Sequence, residues 1–247
     1  MSEAGRRSSV TAIIPALDEA GNIGALVGEV FELKIPGAAI SVLVVDNGSS
    51  DGTAEEALRS GARVVSETRR GYGYACAAGV AAAGEAEILV FLDGDFSASP
   101  GDLAAVLGPI LAGEADLVQG SRVLGGIAPG AMPSHQRLGN RLAARLISLI
   151  FGVRLTDLGP YRAIRRDCLL ALGMREMTYG WPTEMTVKAV KRSYRLLEVP
   201  VCFHPRRAGK SKVSGTLRGS LLAAWFILGV TLRIAVSQAD KEKEKQG

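Results

Sequence analysis

Residues 88–97 read ILVFLDGDFS, an apolar run that stops at two aspartates separated by one glycine, Asp93 and Asp95. Five apolar residues in succession form a strand buried on both faces, which puts the acids at its carboxyl end. Two carboxylates this close repel unless something positive lies between them, and a hard divalent cation carrying a phosphorylated ligand is one answer. The plain alternative is a solvated turn, since Asp-Gly-Asp is common turn chemistry. Further acids follow other apolar runs: Glu19 after VTAII at 10–14, and Asp46 at the end of ISVLVV at 40–45. Positive charge comes later. Arg122 ends a strand-like segment, and Arg137 and Arg141 share one face of a helix opening at Ser134-His135-Gln136. Arginines on one face can grip a phosphate through planar, bidentate hydrogen bonds, or can simply form a solvated basic face.

The elements that must position these groups alternate in type. A buried strand at 10–14, broken by Pro15, precedes a helix in which Ile23, Leu26, Val27, Val30 and Phe31 keep helical spacing and define one buried face. The strand at 40–45 leads into the turn Asn47-Gly48-Ser49-Ser50, with Asp51 as N-cap of the helix TAEEALRS. A short strand at 62–66, a small-residue helix at 71–83 and the strand ending at Asp93 follow. Ser99-Pro100-Gly101-Asp102 opens another helix, with proline at its first position, and a strand at 116–120 ends in Ser121-Arg122. This alternation implies an α/β fold: a doubly wound, Rossmann-like, mostly parallel mixed sheet with helices on both faces. Glu19, Asp46, Asp93 and Asp95 then line one rim, where open sheets bind ligands.

Composition narrows the function classes. The 247 residues, 47% of them hydrophobic, suffice for one substantial core. Three cysteines without a CxxC pair and only two histidines argue against disulfide and zinc frameworks and for a reducing cytosol. We leave His135 and His204 out of the site. The opening MSEAGRRSS has a basic pair with no apolar core behind it and does not read as a secretory signal. A formal charge of +4 is too modest to imply nucleic-acid binding. The loop PALDEAGN lacks G-x-G-x-x-G, and no P-loop pattern occurs, which weakens dinucleotide and NTPase readings. Gly71-Tyr72-Gly73 reads as a tight helix entry packed against the sheet before it reads as a phosphate loop.

VTAIIPALDEAGNI, VLVVDNGSSDGT, RRGYGYACAAG, ILVFLDGD and VQGSR, in that order, resemble the nucleotide-binding half of the family 2 inverting glycosyltransferases, whose fold is called GT-A. DLGPYRAIRRDCL, GWPTEM and the KSKVSGT run are similar to the branch holding dolichyl-phosphate mannose synthase and polyprenyl-phosphate sugar transferases. The resemblance implies a GT-A domain over 10–216. It implies donor contacts from Pro15, Leu17, Glu19, Asp46, Asp93, Gly94 and Asp95, with Mg²⁺ or Mn²⁺ on Asp93 and Asp95. By the same resemblance the expected donor is a UDP- or GDP-hexose. Asn47, Asp18 and Ser97 depart from the family pattern, where aspartate, asparagine and a metal-assisting glutamine are usual.

By the same resemblance Arg122, Arg137 and Arg141 meet the phosphate of a polyprenyl acceptor. An anionic phosphate oxygen is already a nucleophile, so no strong base is needed. For an alcohol acceptor a base is required; Asp157 and Glu184 are the candidates, and each is also readable as structural, Asp157 as a turn cap and Glu184 as an arginine partner. Arg122, Asp95 and Asp157 form the expected catalytic set. The basic run at 206–212, with Arg206 and Lys210 as donor ligands and Gly209 and Gly215 as hinges, is expected to close over the donor phosphates.

Residues 1–9 read as a flexible terminus and 237–247 as a charged tail. Between them, 217–236 hold an apolar helix whose uncharged part, 219–232, is shorter than the roughly 20 residues of a bilayer span. It suits either an interfacial helix anchored by Trp225, Arg218 and Arg233 or packing on the domain or a second copy in a homo-oligomer. The expectation is therefore a metal-dependent inverting hexosyltransferase, cytoplasmic or peripheral on the cytosolic membrane face. Transfer to a soluble acceptor, a nucleotidyltransferase and a non-catalytic sugar-nucleotide-binding protein are the competing readings.

Overall fold

The computed structural model describes residues 6–209, 229–231 and 233–234. The chain opens with β1 (Ser8–Ala16), α1 (Ala20–Glu32), β2 (Ala38–Asp46), α2 (Thr53–Arg59), β3 (Arg63–Ser66), α3 (Tyr72–Ala82) and β4 (Ile88–Phe91). A 3-10 turn at Pro100–Asp102 leads into α4 (Leu103–Leu111), then β5 (Leu117–Ser121), α5 (Arg122–Gly125), α6 (Ser134–Phe151), β6 (Arg162–Arg165), α7 (Arg166–Leu172), α8 (Trp181–Lys191) and β7 (Leu196–Pro200). The sheet order is β3-β2-β1-β4-β6-β5-β7. From β1 the chain winds outward to β3 and then returns to the other side of β1 as β4. The crevice between the carboxyl ends of β1 and β4 is thus the topological switch point.

All strand pairings are parallel except those of β6, which runs antiparallel to both β4 and β5, with Arg162 opposite Phe91 and Gln119. Its direction matters for the site. The start of β6, and the loop before it, arrive at the rim where β4 and β5 end. Two apolar layers clothe the sheet. One gathers Ile23, Leu26 and Val30 of α1 with Leu103 and Leu107 of α4, and the other gathers Ala75 and Cys76 of α3 with Trp181 and Met185 of α8. A smaller cluster joins Ala144 and Ile147 of α6 to Leu155, Leu158, Val187, Val230 and Ile234.

Several expectations need correction. Pro15 does not break β1, which continues to Ala16. The Ile13 carbonyl accepts the Leu92 N–H, so position 15 faces the same side, but β4 stops pairing opposite Ile13 and leaves no ladder bond for proline to lose. Ser8 and Ser9, placed in the terminal segment, pair with Ala38 and Ala39. Phe31 is 44% exposed, because the residue after Val30 is rotated roughly 100° off the buried stripe. Gly73 is a close approach, but to the backbone of Met177 rather than to the sheet: a Cβ there would lie 2.5 Å from Glu176 O and from Met177 Cα. Gly79, one helix face further on, is the glycine pressed on Ile13.

Among the described residues of the apolar terminal helix, Val230, Thr231 and Ile234 are buried, which fits the packing reading there. Residues 210–228, with Lys210, Gly215, Arg218 and Trp225, lie outside the described residues. Among the described residues no helix is long and apolar enough to cross a membrane.

Candidate active site

The acids reach the switch point on short rigid connections. Asp51 closes both helix starts beside it, accepting the Ala20 N–H at 3.0 Å and the Thr53 N–H at 3.1 Å, so the first turns of α1 and α2 share one carboxylate. Glu19 is locked in the same loop: its N–H donates to Thr53 Oγ1 at 2.8 Å, and its Oε2 accepts from Asn22 Nδ2 at 2.7 Å. Asp46 accepts the Ser49 N–H at 3.0 Å and so shapes the turn after β2. Asn47 bonds three ways to the 67–71 loop, donating to the Glu67 and Arg69 carbonyls at 2.9 and 2.8 Å and accepting the Gly71 N–H at 3.0 Å. An aspartate here could not donate, which gives this departure from the family pattern a structural reason. Asp18 accepts the Ser50 N–H at 2.8 Å from a positive φ of 50°.

Asp93 and Asp95 follow β4 at the crevice. A Cβ on Gly94 would meet Pro15 O at 3.2 Å and Ala16 Cβ at 3.3 Å, so the loop after β4 lies directly against the end of β1. Asp95 Oδ1 accepts the Ser97 N–H at 2.9 Å, while its Oδ2 faces Arg206. Asp93 Oδ1 is buried with no hydrogen-bond partner among the described residues. Burial, and then the charge of Asp95, push the Asp93 carboxyl up to about 7, against the opposing pull of Tyr72 and Arg122. A cation bound there would offset both effects. The donor set fits a hard divalent ion: two carboxylates at a strand end, one with an orphaned oxygen, and no third ligating side chain grouped with them among the described residues, which leaves coordination positions for phosphate oxygens.

Asp93 lines a small hollow with Arg122, Gly159 and Phe203, and Arg122 also lines a cleft of about 170 Å³. The cleft is lined by Arg122, Arg137, Asn140 and Arg141, with Ile127 and Met132 as apolar wall. Arg122, Arg137 and Arg141 thus line a single concavity. Arg137 Nε is buried and has no hydrogen-bond partner among the described residues.

Asp157 lines the same cleft but is engaged. Its Oδ2 accepts the Arg122 N–H and Nε at 2.7 and 2.8 Å, and its Oδ1 accepts Arg122 Nη2 at 2.7 Å. Burial works to raise its pKa, yet Arg122 outweighs burial and holds the carboxyl below the usual range. A fully buried, arginine-bound carboxylate is a poor proton acceptor, so of its two readings the structural one fits the geometry. Glu184 stands elsewhere. It accepts the Arg175 and Glu176 N–H groups at 2.9 and 2.7 Å and pairs with Lys188 at 2.8 Å, so among the described residues its partners are a lysine and a loop rather than an arginine.

Three supporting residues escaped the sequence reading. Glu198 on β7 holds the 156–157 loop through the N–H groups of Thr156 and Asp157 at 2.8 and 3.1 Å. Arg162, fully buried, donates to Pro182 O at 2.7 Å and to the Gly159 carbonyl, tying the loop before β6 to α8; burial lowers its pKa to about 10. Phe203 lies under the Arg122 guanidinium, 5.2 Å from ring centroid to Cζ. No local pattern marks them, although a charged residue inside the apolar run YRAI was a usable signal for Arg162.

The segment after β7 returns to this rim, as expected from its basic run. Arg206 Nη2 lies 2.9 Å from Asp95 Oδ2 and 3.0 Å from Glu19 Oε1.

A doubly wound sheet with an acid pair at its switch point, and an arginine-lined cleft one hollow away, defines the class: a glycosyltransferase of the GT-A fold. Comparison with known proteins makes this specific. The profile described as "Glycosyl transferase family 2" matches residues 11–173, and the chain belongs to that family. It is 39% identical over 215 residues to an uncharacterized glycosyltransferase of Mycobacterium tuberculosis, covering 87% of this chain and 94% of the relative. It is 32% identical over 222 residues to the undecaprenyl-phosphate mannosyltransferase of Micrococcus luteus, covering 85% and 89%. A crystal structure of glucosyl-3-phosphoglycerate synthase from Mycobacterium tuberculosis, in complex with Mn²⁺, UDP-glucose and phosphoglyceric acid, superposes with a TM-score of 0.71 at 23% identity over 94% of this chain and 81% of that one.

Proposed function

We propose that this enzyme moves a hexose from a nucleoside-diphosphate sugar to a polyprenyl phosphate with inversion at C1. The observation that carries the reading is that Arg122 lines both the hollow beside Asp93 and the cleft it shares with Arg137 and Arg141. On this reading a diphosphate-metal site at Asp93 and Asp95 and a phosphate site in the cleft flank Arg122, which borders both. The donor set is Pro15, Leu17, Glu19, Asp46, Asp93, Gly94, Asp95, Arg206 and Lys210. Mg²⁺ or Mn²⁺ bound by Asp93 and Asp95 would supply Lewis-acid neutralisation of the leaving diphosphate.

The arginines orient the acceptor phosphate so that one anionic oxygen faces C1. Its bond to C1 forms as the bond from C1 to the diphosphate breaks, and the electron pair departs with the nucleotide. Asp157, neutralised by Arg122, takes no proton and instead keeps that guanidinium aimed. Two names support a phosphate acceptor: the undecaprenyl-phosphate mannosyltransferase among the relatives, and phosphoglyceric acid in the structural neighbour. The first favours a prenyl chain and hence action at the cytosolic membrane face. The second keeps a soluble phosphorylated acceptor as the competing reading.

Labelled UDP- and GDP-hexoses offered with polyprenyl phosphate or with phosphoglyceric acid separate the two. Lipid-linked label is the expected product, and label appearing only in the aqueous acceptor overturns the prenyl assignment. Full activity of Asp95→Ala in EDTA would sink the metal role.

A further inference from the structure

One guanidinium nitrogen of Arg206 bridges acids from two different loops, Asp95 after β4 and Glu19 after β1, across the switch point. The segment carrying it is fastened on both sides. Phe203 donates its N–H to Gly126 O at 3.0 Å, and His204 donates to Ser97 O at 2.8 Å. Asn22 Nδ2 donates to Ala208 O at 3.1 Å, and the Arg207 guanidinium lies 4.8 Å from the centroid of the Phe96 ring. Arg206 therefore already supplies positive charge to the Asp95 oxygen that faces the crevice. Asp93 Oδ1 remains without a partner among the described residues.

We propose that Arg206 is a built-in, exchangeable cation: it competes with the divalent ion for Asp95, and metal entry transfers its guanidinium to the donor diphosphate. The inference rests on the reading of Asp93 and Asp95 as the metal site. A divalent ion on Asp95 and a guanidinium held on its Oδ2 repel each other at contact distance, and a doubly charged ion able to bind both aspartates outcompetes a guanidinium. The displaced fork is planar and charged, and a diphosphate offers it the paired oxygens it prefers. Until that exchange, Asp95 is competent for metal only in the fraction of molecules where Arg206 has let go. If Arg206 holds Asp95 about nine-tenths of the time, metal alone binds about tenfold more weakly than the bare acids would allow.

The test uses the full chain without nucleotide. Mn²⁺ affinity is read by electron paramagnetic resonance for the wild type and for Arg206→Gln, which keeps hydrogen bonding and removes the charge. The expected result is roughly tenfold tighter Mn²⁺ binding by the variant. A second reading needs no variant: a guanidinium locked between two acids cannot enter the trypsin specificity pocket, so Mn²⁺ should accelerate cleavage after Arg206 several-fold, followed by mass spectrometry. Equal or weaker Mn²⁺ affinity in Arg206→Gln, or cleavage unchanged or slowed by Mn²⁺, overturns the inference while leaving the metal site standing. Mn²⁺ binding by neither protein, with or without UDP or GDP, overturns the metal reading itself.

Discussion

Arg122 and Asp157 are joined by three hydrogen bonds of 2.7 to 2.8 Å, with the carboxylate fully buried and the guanidinium nearly so. That pair decides how the cleft works. It engages the nearest carboxylate and, under the proposed transfer, leaves an acceptor phosphate to act as its own nucleophile.

Asp157→Asn leaves Arg122 buried without its counter-charge. The expected cost is about 3 kcal/mol in urea unfolding at pH 7, together with loss of turnover. The sign with pH follows from the depressed carboxyl: its contribution is present above the ordinary aspartate pKa and is lost as pH falls through the lower folded value. Wild type and variant should therefore begin to converge in stability below about pH 4, and meet only below the lower folded value. A variant as stable as wild type at pH 7 but inactive would instead mark Asp157 as a base.

Arg137→Ala and Arg141→Ala should each raise the KM for a phosphate acceptor by about tenfold to a hundredfold, the scale of one charge-assisted hydrogen bond. Arg137→Ala should show the larger effect, because among the described residues its buried Nε has no hydrogen-bond partner. Donor affinity, measured by calorimetry with UDP and GDP, should hold. A parallel loss of donor binding in both variants would move these arginines out of the acceptor site.

Glu184→Gln provides the converse test. The carboxylate caps the 175–176 backbone and pairs with Lys188, so a purely structural Glu184 predicts a loss of about 1 kcal/mol in thermal unfolding with acceptor KM kept within about threefold. A collapse of kcat with unchanged stability would restore it to the chemistry.

Asn47→Asp replaces two side-chain donors by a carboxylate aimed at the carbonyls of Glu67 and Arg69. A loss of about 2 to 3 kcal/mol is expected in the melting of the whole domain. Unchanged melting would show that the 67–71 loop does not depend on this side chain.

Much of the architecture was legible because it is local. A strand buried on both faces and a helix with one apolar stripe each leave a periodic trace, and their alternation implied the sheet, its rim and the acids Glu19, Asp46, Asp93 and Asp95 along it. The four-residue spacing of Arg137 and Arg141 placed them on one helix face for the same reason. Phe31 and Pro15 were misread where a local rule met a tertiary circumstance: the edge of a buried stripe in one case, and a neighbouring strand that ends early in the other.

From sequence alone, then, come the element types, the acid pair at a strand end and the family whose motifs carry them. Which charge meets which came only with the tertiary structure. Arg122 and Asp157 are 35 residues apart, and Arg206 and Asp95 are 111 apart. The first pair meets because β6 enters the sheet antiparallel, which brings the loop before it to the rim where β5 ends. The second meets because β7 pairs with β5 and hands the following segment back across the crevice. Ion pairing depends on distance in space, and strand order converts separation along the chain into contact.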